Sequence, residues 1–178
     1  MSKHFRPCAG AIVFNKDGKV FLGSRIETAN DSWQFPQGGI EAGEIPAEAA
    51  YRELYEETGI SSVELVYTDV EPTRYEFSAE IKENFRKRGI FNDGQDIYFS
   101  LFYFTGNEKD IHLDMPHPEF KRYKWDTLEF AVFNVIDFKK EAYSAATQRM
   151  APLIKDYIAK LSLYLKLFNI NLWLGLLY

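Results

Sequence analysis

The sequence predicts an α/β fold in which a mixed β-sheet is sandwiched between α-helices. Runs rich in β-branched and aromatic residues alternate along the chain with stretches of helical periodicity. Turn chemistry such as Asp17-Gly18 separates these runs, and no repeat or low-complexity linker interrupts them. A chain of 178 residues, 46% hydrophobic and 26% charged, can bury one core, so a single domain is expected.

Ala9 to Phe14 and Val20 to Gly23 read as paired strands, joined by Asn15-Lys16-Asp17-Gly18, where glycine supplies the positive backbone angle of the turn. Ala47 to Thr58 holds good helix formers, with Pro46 suited to the first turn and Gly59 to the stop. Ser62 to Val70 and Tyr75 to Ile81 read as extended. Lys82 to Gly94 reads as a charged loop carrying Arg86, Lys87 and Arg88, followed by an aromatic strand from Ile97 to Thr105. Phe120 to Trp125 fits a further short strand. From Lys139 to Leu161 a helical pattern places Tyr143, Ala146, Met150, Ile154, Tyr157 and Leu161 on one face.

Leu161 to Tyr178 forms a second compositional zone, rich in leucine and broken by Ser162, Lys166, Asn169, Asn171 and Gly175. It falls short of the ~20 mostly apolar residues of a membrane span. Two readings remain for it: a helix extension packed on the domain or on another subunit, and a membrane-surface segment.

The formal net charge of -5 argues against nucleic-acid binding driven by bulk charge, so any such contact should be local, and DNA is not an expected partner. Cys8 is the only cysteine and cannot form an intramolecular disulfide; its apolar neighbours, Ala9 to Phe14, make it a small core residue. The N-terminus lacks the apolar stretch and cleavage site of a secretory signal, and a cytoplasmic location is expected.

The chemistry lies in the first helix. Glu53, Glu56 and Glu57 stand at i, i+3 and i+4, which projects three carboxylates from one face. Like charges so crowded need a cation or protons, and magnesium, a hard ion that binds a few carboxylates together with substrate phosphates, suits them. A metal ion there reverses the local sign for an approaching phosphoanhydride and acidifies an attacking water. Just before the helix, Gln37-Gly38-Gly39-Ile40-Glu41-Ala42-Gly43-Glu44 is a glycine-rich loop that lets backbone approach a ligand.

Gly38, five residues, Glu44, seven residues, then Arg52-Glu53-Leu54-Tyr55-Glu56-Glu57-Thr58-Gly59-Ile60 resembles the Nudix box at each of its fixed positions. The resemblance implies the Nudix fold, an α/β/α sandwich, over roughly Phe5 to Leu161. Residues 1–161 are thus expected to form the domain, and residues 162–178 an apolar tail. It also implies that Glu53, Glu56 and Glu57 bind magnesium, which manganese can replace, with the Gly38 carbonyl as a further ligand, and that Arg52 and Glu44 brace loop against helix. The family places the base that activates water either on this helix or in a later loop; Glu53 is the choice here, with Glu57 beside it in the catalytic set.

Beyond the box, Phe5-Arg6-Pro7, Trp33-Gln34-Phe35-Pro36-Gln37 and Pro118-Glu119-Phe120 followed by Trp125 resemble bacterial RNA pyrophosphohydrolases and the related dinucleoside polyphosphate hydrolases. By that resemblance Glu119 is a fourth metal-binding carboxylate, Phe138 stacks on a base, Lys139, Arg6 and Arg25 face phosphates, and Gln95 begins a Gly-Gln motif. Asp96-Ile97-Tyr98-Phe99 departs from the polar, tryptophan-containing run found there. Cys8 replaces a frequent asparagine, and Glu71 to Phe77 lacks an expected tryptophan. The expected activity is removal of phosphate or pyrophosphate from RNA 5′ ends, with dinucleoside polyphosphates as the alternative substrate. A non-catalytic nucleotide-binding module, the third reading, would be expected to carry a damaged carboxylate set.

Overall fold

The computed structural model describes residues 3–26 and 32–175. Its centre is strand β1 (Phe5–Phe14), which pairs in parallel with β7 (Gly94–Phe104) from Phe5 opposite Gly94 to Phe14 opposite Tyr103. On the far side of β7 lie β5 (Val63–Thr68) and β6 (Thr73–Glu76), both antiparallel to it. Strand β2 (Val20–Arg25) pairs with β1, with β3 (Trp33–Gln34) and with β8 (Phe120–Asp126), while β4 (Gln37–Gly39) pairs with β1, completing an eight-stranded mixed sheet.

Alternation along β1 divides the interior in two. Ala9, Ala11 and Val13 point into a core shared with Phe21, Phe102 and the helix α1 (Pro46–Thr58) residues Ala49, Ala50 and Leu54. Cys8, Ile12 and Phe14 point into the opposite core, closed by α3 (Leu128–Asn134) and α4 (Lys140–Gly175) through Ala131, Tyr143, Ala146, Met150 and Ile154. Helices therefore cover both faces of the sheet, as the alternation of elements predicts.

The local signals act as expected. Gly18 has φ 74 and donates its N–H to Asn15 O at 2.9 Å in the β1–β2 turn. Pro46 opens α1, the Ile45 N–H is met by Glu48 Oε2 at 3.2 Å, and Gly59, at φ 68, closes the helix with its N–H on Tyr55 O at 2.8 Å. Cys8 is fully buried, and burial pushes its thiol up to about 11, so it is an inert core group.

Two expectations need correction. Lys82 to Gly94 is not a loop throughout: Ala79–Lys87 is helix α2, which also takes Ile81 out of the preceding extended stretch. Ser78 Oγ accepts the Ile81 N–H at 3.3 Å as a cap, and Ile81 and Phe85, one turn apart, pack on the main core, with Phe85 edge-on to Phe77. Such a short charged helix is held by tertiary packing, which charge density along the sequence conceals. The short strands β3 and β4 and the helix α3 were not anticipated either, being too brief to establish a period.

The tail continues α4 as helix to Gly175, but Ile154 is its last fully packed residue in the core; Leu163, Tyr164, Leu165 and Leu167 are each more than half exposed, so this stretch leaves the domain instead of packing on it. Among the described residues no helix is long and apolar enough to cross a membrane. Residues 176–178 of the tail, and Met1 and Ser2 of the N-terminal reading, lie outside the described residues.

Candidate active site

Arg52, on α1, is the hub of the glycine-rich loop. Its guanidinium donates to both carboxylate oxygens of Glu44, at 2.9 Å each, and to the Gly39 carbonyl at 2.8 Å. The same side chain donates to Glu53 Oε1 at 2.7 Å and to Glu56 Oε2 at 3.4 Å. Held by Arg52 and the Glu41 N–H, Glu44 has its carboxyl below the usual carboxylate range. These bonds link the loop after β4 to the middle of α1.

Gly38 lies directly on the Glu53 carboxyl, so that any Cβ there would overlap it, and Gly39 lies equally close beneath the Arg6 guanidinium. A side chain at either position would displace the Glu53 carboxyl or the Arg6 guanidinium from its present place. The three carboxylates of α1 are not crowded evenly on one face, as their spacing suggests, but graded in depth. Glu56 is 57% exposed, Glu53 14%, and Glu57 is buried at 3%. Burial, then the nearby Glu119 and Glu53 charges, raise the Glu57 carboxyl well above its ordinary value. Glu53 is raised as well, mainly by burial, against the opposing pull of Arg52.

Glu119 approaches from another direction, just ahead of β8. It ion-pairs with Arg25 Nη2 at 3.0 Å, and its carbonyl accepts the Ile26 N–H at 2.9 Å. Glu53, Glu56, Glu57 and Glu119 line one pocket of about 340 Å³ together with Tyr55 and the Met115-Pro116-His117 turn. Among the described residues no three carboxylate, imidazole or thiol groups converge tightly enough to form a finished metal centre. Arg52 pairs with Glu53 and Arg25 with Glu119, which offsets part of the repulsion among these carboxylates. The donors still suit a hard divalent ion, because Glu57 Oε1 is buried without a hydrogen-bond partner on the wall of that pocket.

Arg25, which pairs with Glu119 of that pocket, lines a second, larger pocket of about 490 Å³, in which no acidic residue takes part among the described residues. Its cations are Arg25, Arg88 and Lys139, its rings Tyr75, Phe77, Phe85 and Phe138, and its amides Gln34, Gln37 and Gln95. The buried Lys139 ammonium donates to Gln34 Oε1 at 3.2 Å and Gln37 Oε1 at 3.1 Å, and burial pushes it down to about 8. Gln37 joins the two pockets: its backbone N–H donates to Glu57 Oε2 at 3.2 Å and its side-chain amide to Gln95 Oε1 at 3.4 Å. Gln95 in turn accepts a short hydrogen bond from the Tyr75 hydroxyl. Phe138 is half-buried; its ring lies 5.8 Å from that of Tyr75 and 6.0 Å from that of Phe77 while also lining the pocket.

The fold thus gathers nearly all the residues singled out from the sequence. Glu53, Glu56, Glu57 and Glu119 share one pocket, and Arg25, Gln95, Phe138 and Lys139 share its neighbour. Arg6 lines neither; it lies over Gly39 at the edge of the carboxylate set. Sequence reading missed His117, Tyr75, Gln34, Gln37 and the α2 wall. For α2 a signal existed, since Ile81, Phe85 and Arg88 recur at i, i+4 and i+7.

Residues 4–147 match the family model described as the NUDIX domain. A protein named RNA pyrophosphohydrolase from Wolbachia pipientis is 37% identical, over 88% of this chain and 95% of that protein. Another of that name, from Xanthomonas axonopodis, is 39% identical over 85% of this chain and 74% of its own length. Among solved structures, the Escherichia coli dihydroneopterin triphosphate pyrophosphohydrolase aligns with a TM-score of 0.58 at 18% identity, covering 80% of this chain and 97% of that one. The Caenorhabditis elegans Ap4A hydrolase in a binary complex gives a TM-score of 0.54 at 22% identity, covering 88% and 98%. Solved structures so distant in sequence speak for the fold alone, whereas the extent of the domain match and of the curated relatives decides kinship: the chain belongs to the Nudix family.

Proposed function

We propose that the protein is a magnesium-dependent RNA 5′ pyrophosphohydrolase, which converts 5′-triphosphate or 5′-diphosphate ends to 5′-monophosphate. The observation that carries this reading is the linkage of two unlike pockets by the Arg25–Glu119 ion pair: Glu119 lines the one with four carboxylates, and Arg25 lines the other, which is furnished with rings and cations and free of acids among the described residues. A nucleotide placed in the second pocket directs its phosphates at the first. The names of the curated relatives point the same way.

In this reading Phe138 offers a face to the terminal base, and Arg25, Arg6, Lys139 and Gln95 hold the phosphate chain. Glu53, Glu56, Glu57 and Glu119, with the Gly38 carbonyl, would hold magnesium or manganese. When bound, the metal neutralises phosphate charge and acidifies the attacking water. Glu53 takes the proton from that water, its basicity strengthened by burial and its position fixed by Arg52 and Gly38. The new bond joins the water oxygen to phosphorus, and the phosphoanhydride bond breaks to release pyrophosphate or phosphate. Arg52 and Glu44 keep the loop in register with the helix throughout. The reducing cytoplasm is the compartment that suits the lone, buried Cys8 thiol.

Triphosphorylated RNA, diadenosine tetraphosphate and free nucleoside triphosphates, each supplied in parallel with magnesium, manganese or a chelator, test the proposal. Metal-dependent release of pyrophosphate or phosphate, with RNA as the preferred substrate, is the expected result. Preference for the tetraphosphate makes the protein a dinucleoside polyphosphate hydrolase. Failure to cleave any of the three reduces it to a binding module.

A further inference from the structure

Two of the three cations that line the pocket beside the carboxylates are explained by a 5′-phosphorylated nucleotide, and the third is not. Arg25 borders the carboxylate pocket through Glu119, and Lys139 is buried against Gln34 and Gln37, whose backbone touches Glu57. Both therefore belong to the phosphate end. Arg88 stands elsewhere, on the α2 wall with Phe85 and Ile90, and it is exposed.

Its placement follows from the helix. At 3.6 residues per turn, Ile81, Phe85 and Arg88 fall within an arc of about 60°, so the stripe that packs inward ends in a guanidinium at the pocket. Glu80, Glu83 and Asn84 occupy the remaining surface, and Lys87 pairs outward with Glu83 at 3.1 Å. The backbone at Arg88 closes the helix, its N–H on Phe85 O at 2.9 Å. A cation carried beside aromatic rings, in a pocket without acids among the described residues, fits an anion that a mononucleotide does not carry.

We propose that Arg88 binds the phosphodiester on the 3′ side of the nucleotide held in this pocket, and so marks the path of the RNA chain along α2. The inference rests on the RNA reading of the site and deepens it. A mononucleotide substrate ends before Arg88; an RNA continues past it. The affinity of the protein for its substrate therefore depends on chain length through this side chain.

The test measures KM and kcat for a nucleoside triphosphate and for 5′-triphosphorylated RNAs of two, three and six nucleotides, with the whole chain and its Arg88→Glu, Arg88→Lys and Lys87→Glu variants. Arg88→Glu is expected to raise KM for the longer RNAs about tenfold, with the penalty growing from the mononucleotide upward and kcat little changed. It should also lower the slope of log(kcat/KM) against log salt by about one. Arg88→Lys should retain most of the affinity. Lys87→Glu, which changes net charge equally on the outward face, should cost less. A thermal unfolding midpoint shared by all the proteins excludes a folding defect as the cause. An equal penalty at every chain length, or no penalty, overturns the role of Arg88 while leaving RNA hydrolysis intact. If no RNA is cleaved even by the unmutated protein, the underlying reading fails with it.

Discussion

The carboxylate pocket and the pocket beside it are joined by the Arg25–Glu119 ion pair yet are built on different plans. One is made from a single helix, α1, and the one segment ahead of β8 that carries Met115, Pro116, His117 and Glu119. The other draws on β2, β3, β4, β6, α2, β7 and the turn just before α4, segments scattered from Arg25 to Lys139. The first is acidic and brings together groups that repel; the second gathers rings and cations and, among the described residues, no acids. The proposed function divides the labour accordingly: bond breaking in the compact pocket, and recognition in the dispersed one.

Mutations can break that division. Glu53→Gln keeps the shape of the side chain but removes its basicity, and it should lower kcat by about a thousandfold or more on every substrate, with KM little altered. Turnover within tenfold of normal at normal metal affinity would move the base elsewhere. Arg52→Ala removes both bonds to Glu44 and the contact with the Gly39 carbonyl. Charge-assisted hydrogen bonds of this kind contribute roughly 1.5–3 kcal/mol each, so a 10- to 100-fold fall in kcat is expected. Unchanged turnover would make Arg52 an ordinary surface ion pair, of the kind worth under ~1 kcal/mol.

Effects in the neighbouring pocket should appear in KM. Stacking on an aromatic ring is worth ~1–3 kcal/mol per base, so Phe138→Ala should raise KM about tenfold with kcat retained. A larger loss in kcat than in affinity, or a lowered unfolding midpoint, would assign Phe138 to core packing with Tyr75 and Phe77 instead.

Lys139 offers the smallest effect and a pH signature. Its folded value of about 8 lies below its ordinary value because burial, followed by Arg25, disfavours the charge. The ammonium is present below pH 8 and lost above it, so kcat/KM should fall several-fold as pH rises through about 8. Lys139→Arg, always charged, should remove that limb. For stability the sign is opposite: between about pH 8 and 10.5 the unfolded chain binds more protons at this residue. Stability relative to Lys139→Met therefore rises with pH over that interval. An alkaline limb that persists unchanged in Lys139→Arg would exclude Lys139 as its origin.

The sequence by itself determined the elements whose signals are local. The α1 helix with Pro46 at its start and Gly59 at its stop, the Gly18 turn, the alternation of β1 and the inward face of α4 are each specified within a few residues. So was the run of box residues, because Gly38, Glu44, Arg52 and the three glutamates lie within one loop and one helix. Glu119, Arg25 and Phe138 were legible through family resemblance alone.

What only the tertiary structure decided is depth and company. Spacing puts Glu53, Glu56 and Glu57 on one face but cannot tell that Glu57 is buried under Gln37 while Glu56 faces water. Ile81, Phe85 and Arg88 form a stripe on paper, yet α2 is stable and informative only where Phe77 and the core supply a surface to pack on. Local order is set by backbone sterics and capping, which act over a turn. Burial, ion pairing and the exclusion of acids from a pocket arise between residues that meet only after the chain has folded.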